Sequence, residues 1–338
     1  MEISREVFEK QWRPRFGSAN PERMEMSFWE WMIQGGAANS SNQREWQGAG
    51  YGPYEARKIL GIADEPGYRP TWTFQRMGAT RTKLPDGRVI CVGGEHEDSY
   101  DPDFYIYNDV VLIGPDGHIE IYGYPKEVFP PTDFHSATPA GGSLVIIGSI
   151  GYVPDRRPGF TPVFSLDLST YRMSEVATIG DMPGWIARHE AQLVSDDLIT
   201  IRGGRVFRYR NEKQEFRRNI EDYELNLRSG IWRRTTARNW RQYAVFRKDR
   251  RFLVDKDLPD FTKLVPLSIP NVNTVSKENW IGLRFLVDQV PVTLELGLYD
   301  IEIIIQGGLP SELERRLVEE IQRQAGDLLQ VTCVAEPR

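Results

Sequence analysis

Three segments of this chain repeat one another, and no other feature restricts its fold as strongly. GATRTKLPDGRVICVGG runs from Gly78 to Gly94, HSATPAGGSLVIIGS from His135 to Ser149, and HEAQLVSDDLITIRGG from His189 to Gly204, with starts 57 and 54 residues apart. Each reads as a short strand, a turn (PDG, AGG or SDD) and a β-branched apolar strand ending in glycine. A third strand follows (FYIYNDVVLI, TPVFSLDL and, more weakly, RNIEDYELNL). Then come a second turn (GPDGH, STY, RSG) and an outer strand (IEIYGYP, MSEVATI, IWRRTTA). Four strands per unit at a period near 50 residues is the pattern of a propeller blade, a sheet that buries its faces only against neighbouring copies. The alternation in DVVLI and IEIYG suits such face-to-face stacking. Closed rings use about four to eight blades, so three units predict a small or incomplete propeller. YAVFRKDRRFLVD (243–255) and IGLRFLVDQVPVTLELG (281–297) are candidates for further sheets; an open arc or completion by a second copy are the alternatives.

The flanks read differently. SREVFEKQWR, PERMEMSFWEWMIQGG and PYEARKILGI carry Phe, Trp, Met and Leu at helical spacing, with Ser4, Asn20 and Ser27 as possible starts and Gly35-Gly36 as a stop. Trp29, Trp31 and Met32 read as core, and GAANSSNQREWQGAGYGP as a loop. LYDIEIIIQGG, PSELERRLVEEIQRQA and DLLQVTCVA describe strand, helix and strand; Ser311 and Glu314 have capping-box spacing, and Leu313, Leu317 and Ile321 form an apolar stripe. The expected fold class is therefore mainly β with α+β additions. A helical cap occupies 1–68, propeller repeats 69–254 and an α+β module 255–338.

The repeats resemble those of the kelch family. The likeness rests on a small or His residue opening the first strand, the Gly-Gly end of the second, Tyr107-Asn108-Asp109-Val110 leading into the third, and an aromatic such as Tyr122 or Trp232 near the fourth. It covers residues 70 to 236 and departs from the pattern at Ser149, which replaces the second glycine of unit two. The segment is also similar to bacterial proteins carrying a GGEHED and PPTDFHSAT pair. A kelch-like propeller is the implied fold, and that fold hosts enzymes and scaffolds alike.

The chemistry-bearing residues collect in loops. Glu95, His96, Glu97, Asp98, Asp101 and Asp103 offer carboxylates and one imidazole, but the spacing has no DxDxDG, HxH or HExxH pattern. Some kelch-like iron-dependent proteins carry a carboxylate, carboxylate and histidine set on one blade; Glu97 and Asp101 match its first interval, and no histidine follows. A solvated or hydrogen-bonding loop is the expectation, with no metal and no cofactor; Glu95, His96, Glu97 and Asp101 are the candidates should an ion bind. In a blade the loops 95–104, 150–161 and 204–219 neighbour one another. That brings the acidic loop towards Tyr152, Arg156, Arg157, Arg205 and Arg208, and points to a polar cleft or mutual neutralisation. The strand-opening Arg76, His135, Arg188 and His189 are expected to point to the central channel, and acid–base chemistry by Asp133, His135 or Glu95 is left open. GxSxG, CxxC and phosphate-loop patterns are absent, and Cys91 reads as a buried strand residue.

The net charge is −6, yet residues 202 to 251 hold 16 Lys plus Arg against 6 Asp plus Glu, interleaved with aromatics. Such a run can bind nucleic acid; charged outer strands, or a face against an acidic partner, are the favoured reading. With a charged N-terminus and no apolar run of spanning length, the expected address is the cytoplasm. Recognition of a protein partner through the propeller loops, for example in bacterial defence or toxin neutralisation, is expected ahead of catalysis. The rivals are a sugar- or small-metabolite-processing enzyme with an acidic and histidine site at the mouth, and nucleic-acid binding through the arginine-rich third repeat. Oligomeric state is left open.

Overall fold

Each repeat builds one antiparallel sheet in the computed structural model, which describes residues 3–35, 50–63, 69–97, 101–210, 213–253, 260–266, 268–269, 272–277 and 282–338. Most of the expected loop at 36–53 falls outside the described residues. The first sheet contains Thr80–Lys83, Val89–Val92, Val110–Ile113 and Ile119–Gly123 in sequential order. The second contains Ser136–Ala140, Ser143–Ile147, Val163–Asp167 and Met173–Glu175. The third contains Glu190–Ser195, Leu198–Arg202, Tyr223–Asn226 and Ile231–Arg234. The AGG turn closes the second sheet's hairpin because Gly141 and Gly142 both take positive φ (53° and 83°), the requirement of a two-residue loop matched to strand twist.

Side-chain alternation builds one core per junction. Ile90, Val92 and Leu112 leave the first sheet towards Leu144, Ile146, Phe164 and Leu166 of the second. Val145, Ile147 and Val163 leave the second towards Ile199, Ile201, Leu225 and Trp232 of the third. The neighbouring positions Cys91 and Val111 point the other way, and with Ile121 they meet Phe28, Trp29, Met32 and Trp72 from the N-terminal segment. Trp29 and Trp72 stack at 4.8 Å, as expected of core aromatics. The Gly-Gly ends allow the sheets to approach: a Cβ at Gly93 would lie 2.1 Å from the Thr132 carbonyl oxygen, and one at Gly148 2.2 Å from that of Ile186. At Gly203 nothing lies within 4 Å. The far side of the third sheet instead carries ion pairs such as Arg233 with Glu224 (2.7 Å) and Arg202 with Asp222 (3.8 Å), the polar finish that a terminal repeat needs.

Several expectations change. The N-terminal segment holds the helices Arg5–Gln11, Ser27–Gln34 and Pro53–Ile59, but it also adds the strand Glu22–Arg23 to the first sheet's edge. Asn20 caps no helix; it exchanges hydrogen bonds with the Met173 backbone on the second sheet. The expected loop 204–219 includes a hairpin, Arg205–Arg210 with Lys213–Arg218, paired to Trp185–Ala187. Finally, the chain divides into compact units at 236/237, eighteen residues before the boundary expected at 254/255.

The segments expected to supply further sheets belong to the second unit. Arg241–Arg247 lies between Asp300–Ile305 and Cys333–Pro337, and Gly282–Val287 pairs with Val272–Lys277 and Val290–Leu296, in one six-stranded sheet. The helix Ser311–Leu329 buries Leu317, Ile321 and Ala325 in that unit's core, with Leu313 at its margin. The capping box does not form: Pro310 is the N-cap, and the Glu314 carboxylate accepts from the Tyr243 hydroxyl. Among the described residues no helix is long and apolar enough to cross a membrane.

Candidate functional site

Backbone hydrogen bonds align the three repeats residue by residue. Phe134 N–H donates to Gly78 O, and Arg188 N–H donates to Phe134 O, both at 2.7 Å. Gly78, Phe134 and Arg188 are therefore equivalent, all with positive φ (64°, 48° and 58°). Ala79, His135 and His189 occupy the next position, so the first repeat begins one residue later than its segment start implies. The preceding row is Met77, Asp133 and Ala187. It pairs with Glu95, Ile150 and Arg205 respectively, through the Met77–Glu95 bridge, the Ile150 N–H to Asp133 O bond (3.1 Å) and the Ala187–Arg205 register.

The two histidines bridge neighbouring sheets. His135 Nε2 lies 2.9 Å from the Thr80 hydroxyl of the first sheet, and His189 Nε2 lies 2.9 Å from the Ser136 hydroxyl of the second. Both rings are buried. Burial pulls His135 down to about 3, with His189 adding a smaller push, and pulls His189 down to about 4. They are neutral links between adjacent sheets. The motif residues of the first repeat are structural as well: Asn108 Nδ2 donates to the carbonyls of Tyr124 and Phe129, and Asp109 pairs with the buried Arg76 while accepting from Trp72 Nε1 at 2.8 Å.

The polar cluster sits one row earlier. Asp133 is fully buried, its Oδ1 accepting from Ser149 Oγ (3.0 Å) and the Gly151 N–H (2.7 Å). Among the described residues its other oxygen, Oδ2, is buried without a hydrogen-bond partner, and the Glu95 carboxyl is close enough to bear on its titration. Burial raises Asp133 above the usual carboxylate range against the opposing pull of Gly151, Ser149, Glu95 and Arg156. Arg156 is held by its own loop, with Nε donating to Ile150 O and Nη2 to Gly151 O, both at 3.0 Å, and the guanidinium 4.9 Å above the Phe216 ring. Burial lowers its affinity for a proton, with Asp133, Tyr209 and Glu95 pulling the other way. The Tyr152 hydroxyl accepts from the Ile106 N–H at 2.9 Å, and burial raises it, with Asp133 and Glu95 contributing. Arg188 and Arg205 complete the group; Arg188 feels Glu95, Asp133 and Arg205.

Of the sequence-predicted residues, Glu95, Asp133, Tyr152, Arg156, Arg188 and Arg205 thus come together. Arg157 does not: it is exposed, lies over Phe160 at 3.8 Å and reaches Glu175 only at 3.9 Å. The acidic loop splits after Glu95. His96 is buried, with Nδ1 at 3.2 Å from Gln75 O and Nε2 at 3.1 Å from Glu97 Oε1, and burial lowers it. His96, Glu97 and Asp103 offer ligand atoms within 4.8 Å of one another, one imidazole and two carboxylates of the kind a divalent ion takes. Asp101 lies outside this trio, and Asp98 lies outside the described residues. Sequence reasoning missed Phe134, Gly151 and the role of Ser149; the departure of Ser149 from the Gly-Gly pattern was the available signal. A cavity of about 760 Å³ lies at the turn end of the sheets, between Leu84, Arg88, Pro139 and Tyr171, and contains none of these residues.

No family model matches this chain, and no curated protein does. Among solved structures it is similar to one described as the structure of YjhT, at 16% identity and a TM-score of 0.35, over 52% of this chain and 54% of that one. It is also similar to MPT-4, a mannose phosphorylase from Leishmania mexicana in complex with phosphate ion, at 11% identity and a TM-score of 0.31, over 72% and 70% of the two chains. This chain therefore spans about half the length of the YjhT structure. At these scores neither likeness carries an argument, and the reading of the site rests on this chain's own residues.

Proposed function

We propose that the three sheets are blades of an incomplete, kelch-like propeller, and that their loop end is the acid–base site of an enzyme acting on a small polar metabolite such as a sugar. One observation carries the reading: the buried Asp133 carboxyl, with one oxygen left without a hydrogen-bond partner and its affinity for a proton raised by burial, beside Glu95 and arginines. A carboxyl that keeps its proton at higher pH is suited to act as general acid, and a neighbouring carboxylate can take the proton back. Asp133 and Glu95 would exchange these roles while Tyr152, Arg156 and Arg188 orient the substrate. The histidines of the sequence-based site are not part of it, since both hold sheets together. The test is turnover of a panel of sugars and sugar-derived acids followed by NMR. Asp133→Asn and Glu95→Gln should abolish conversion of whichever compound is turned over, and unchanged turnover in both variants would overturn the reading.

A second reading, recognition of a protein partner, is favoured by the arginine-rich hairpin, where Tyr209 is 52% exposed beside the exposed Arg208. Tyr209→Ala with Arg208→Ala should then abolish co-purification of the partner while Asp133→Asn leaves it intact.

A further inference from the structure

Gly78, Phe134 and Arg188 share one backbone conformation, but only the first is the residue that adopts it without strain. A bulky side chain at positive φ is uncommon and costs on the order of 1–3 kcal/mol, so its persistence at two of three equivalent positions points to the side chains themselves. They form a stack. A Cβ at Gly78 would lie 2.7 Å from Phe134 Cγ, so the missing side chain of the first repeat makes room for the ring of the second. The Arg188 guanidinium then lies over that ring, 3.6 Å from its centroid. Among the described residues the stack ends at Arg188. Arg188 is exposed, and among the described residues its guanidinium makes no hydrogen bond or ion pair. Arg156, by contrast, is tied to two backbone carbonyls.

We propose that Arg188, laid flat on Phe134, is the anchor for an oxyanion, a carboxylate or phosphate group of the metabolite, placed beside the Glu95 and Asp133 pair. A guanidinium fixed in its plane presents two parallel N–H donors to such a group, and stacking on an aromatic face pre-orients it. This deepens the acid–base reading above and rests on it for the metabolite; the anion site itself rests on the stack alone. It narrows the substrate from polar metabolites in general to anionic ones.

The experiment follows the Arg188 Nε–Hε signal by NMR while inorganic phosphate and, separately, acetate are titrated into the full chain. Saturable shifts in the millimolar range with either probe are expected, and the stronger of the two identifies the group preferred. In Arg188→Gly the response of the neighbouring Phe134 ring should vanish, whereas the melting temperature should rise by about 2–4 °C because the strained conformation is relieved. Arg188→Lys should keep weak binding without the strain relief. Undiminished binding in Arg188→Gly, or no saturable response to either anion in the parent, overturns the proposal. A fall in melting temperature with Arg188→Gly does so too, since it marks Arg188 as a structural brace. Anion binding that survives in Asp133→Asn, alongside unchanged turnover, would overturn the acid–base reading and leave the anchor standing.

Discussion

His135 and His189 occupy one position in successive repeats, and they do the same thing: each ring is buried, neutral and bonded to a hydroxyl of the sheet before it. The two rows just ahead of them share backbone geometry to the same degree but not their residues. One reads Met77, Asp133, Ala187 and the other Gly78, Phe134, Arg188. Where the side chain recurs, it serves the stacking that every repeat needs. Where a recurring backbone carries divergent side chains, the repeat does not explain them, and here two of those positions, Asp133 and Arg188, lie in the polar cluster. Repetition marks the frame, and its violations mark the candidate site.

The largest losses are expected in the frame. Asp109→Ala leaves Arg76 buried without its counter-charge and should cost about 3–5 kcal/mol in denaturant unfolding. A loss below about 1 kcal/mol would mean that the pair is not a structural element. His135→Ala and His189→Ala should each cost about 2–3 kcal/mol, since each opens a cavity and orphans a hydroxyl in the junction. The two losses should be similar, because the two links are copies.

Acid should act through the same rings. Their folded values, about 3 and about 4, lie below the unfolded value near 6.5, so the unfolded chain binds more protons as pH falls through that window. Stability should be flat above about pH 6.5 with respect to these groups and fall towards pH 4 by at most about 1.4 kcal/mol per pH unit per histidine. Urea midpoints measured across that range check it, and a variant lacking both rings should lose most of the slope. Asp133 contributes with the opposite sign. Its folded value is raised, so the stabilisation linked to its proton is full below the unfolded carboxyl value and is lost as pH rises.

On the side of the site, stability and function should separate. Asp133→Asn can keep an oxygen facing Ser149 and Gly151 and an amide facing Glu95, so folding should change by less than about 1 kcal/mol while turnover is lost. The smallest effect belongs to Arg157→Ala, within about 0.5 kcal/mol, since its contacts are exposed and long. A larger loss would bring Arg157 back into the structural account.

The frame was legible because stacking sheets forces periodicity onto the sequence. Ile90 and Val92 facing one junction while Cys91 faces the other is the alternation that DVVLI and VICV announce. The second unit's sheet was less legible. Arg241–Arg247 follows the third repeat directly and carries the same arginine-rich composition, yet its partners are Asp300–Ile305 and Cys333–Pro337, far along the chain. No local pattern specifies pairing over such distances. At the site, the acidic loop drew attention through its charge density, but only Glu95 joins Asp133. The partner carboxyl lies about forty residues away, and it is buried by a serine where the repeat calls for glycine. Phe134 carries no signal until φ is known, and Arg188, expected near the channel from its place in the repeat, gives no sign of the left-handed conformation that it shares with Phe134.

That divergence on a repeated backbone marks a working site turns on whether the buried Asp133 keeps its proton beside Glu95. Carboxyl carbon NMR of selectively labelled protein, titrated from pH 3 to pH 8 in the parent chain and in Glu95→Gln, measures it directly. Asp133 should titrate well above the ordinary aspartate range in the parent, and its midpoint should move when Glu95 is replaced. An Asp133 signal that titrates near 4 and ignores Glu95 would show an ordinary buried acceptor, and would contradict the account.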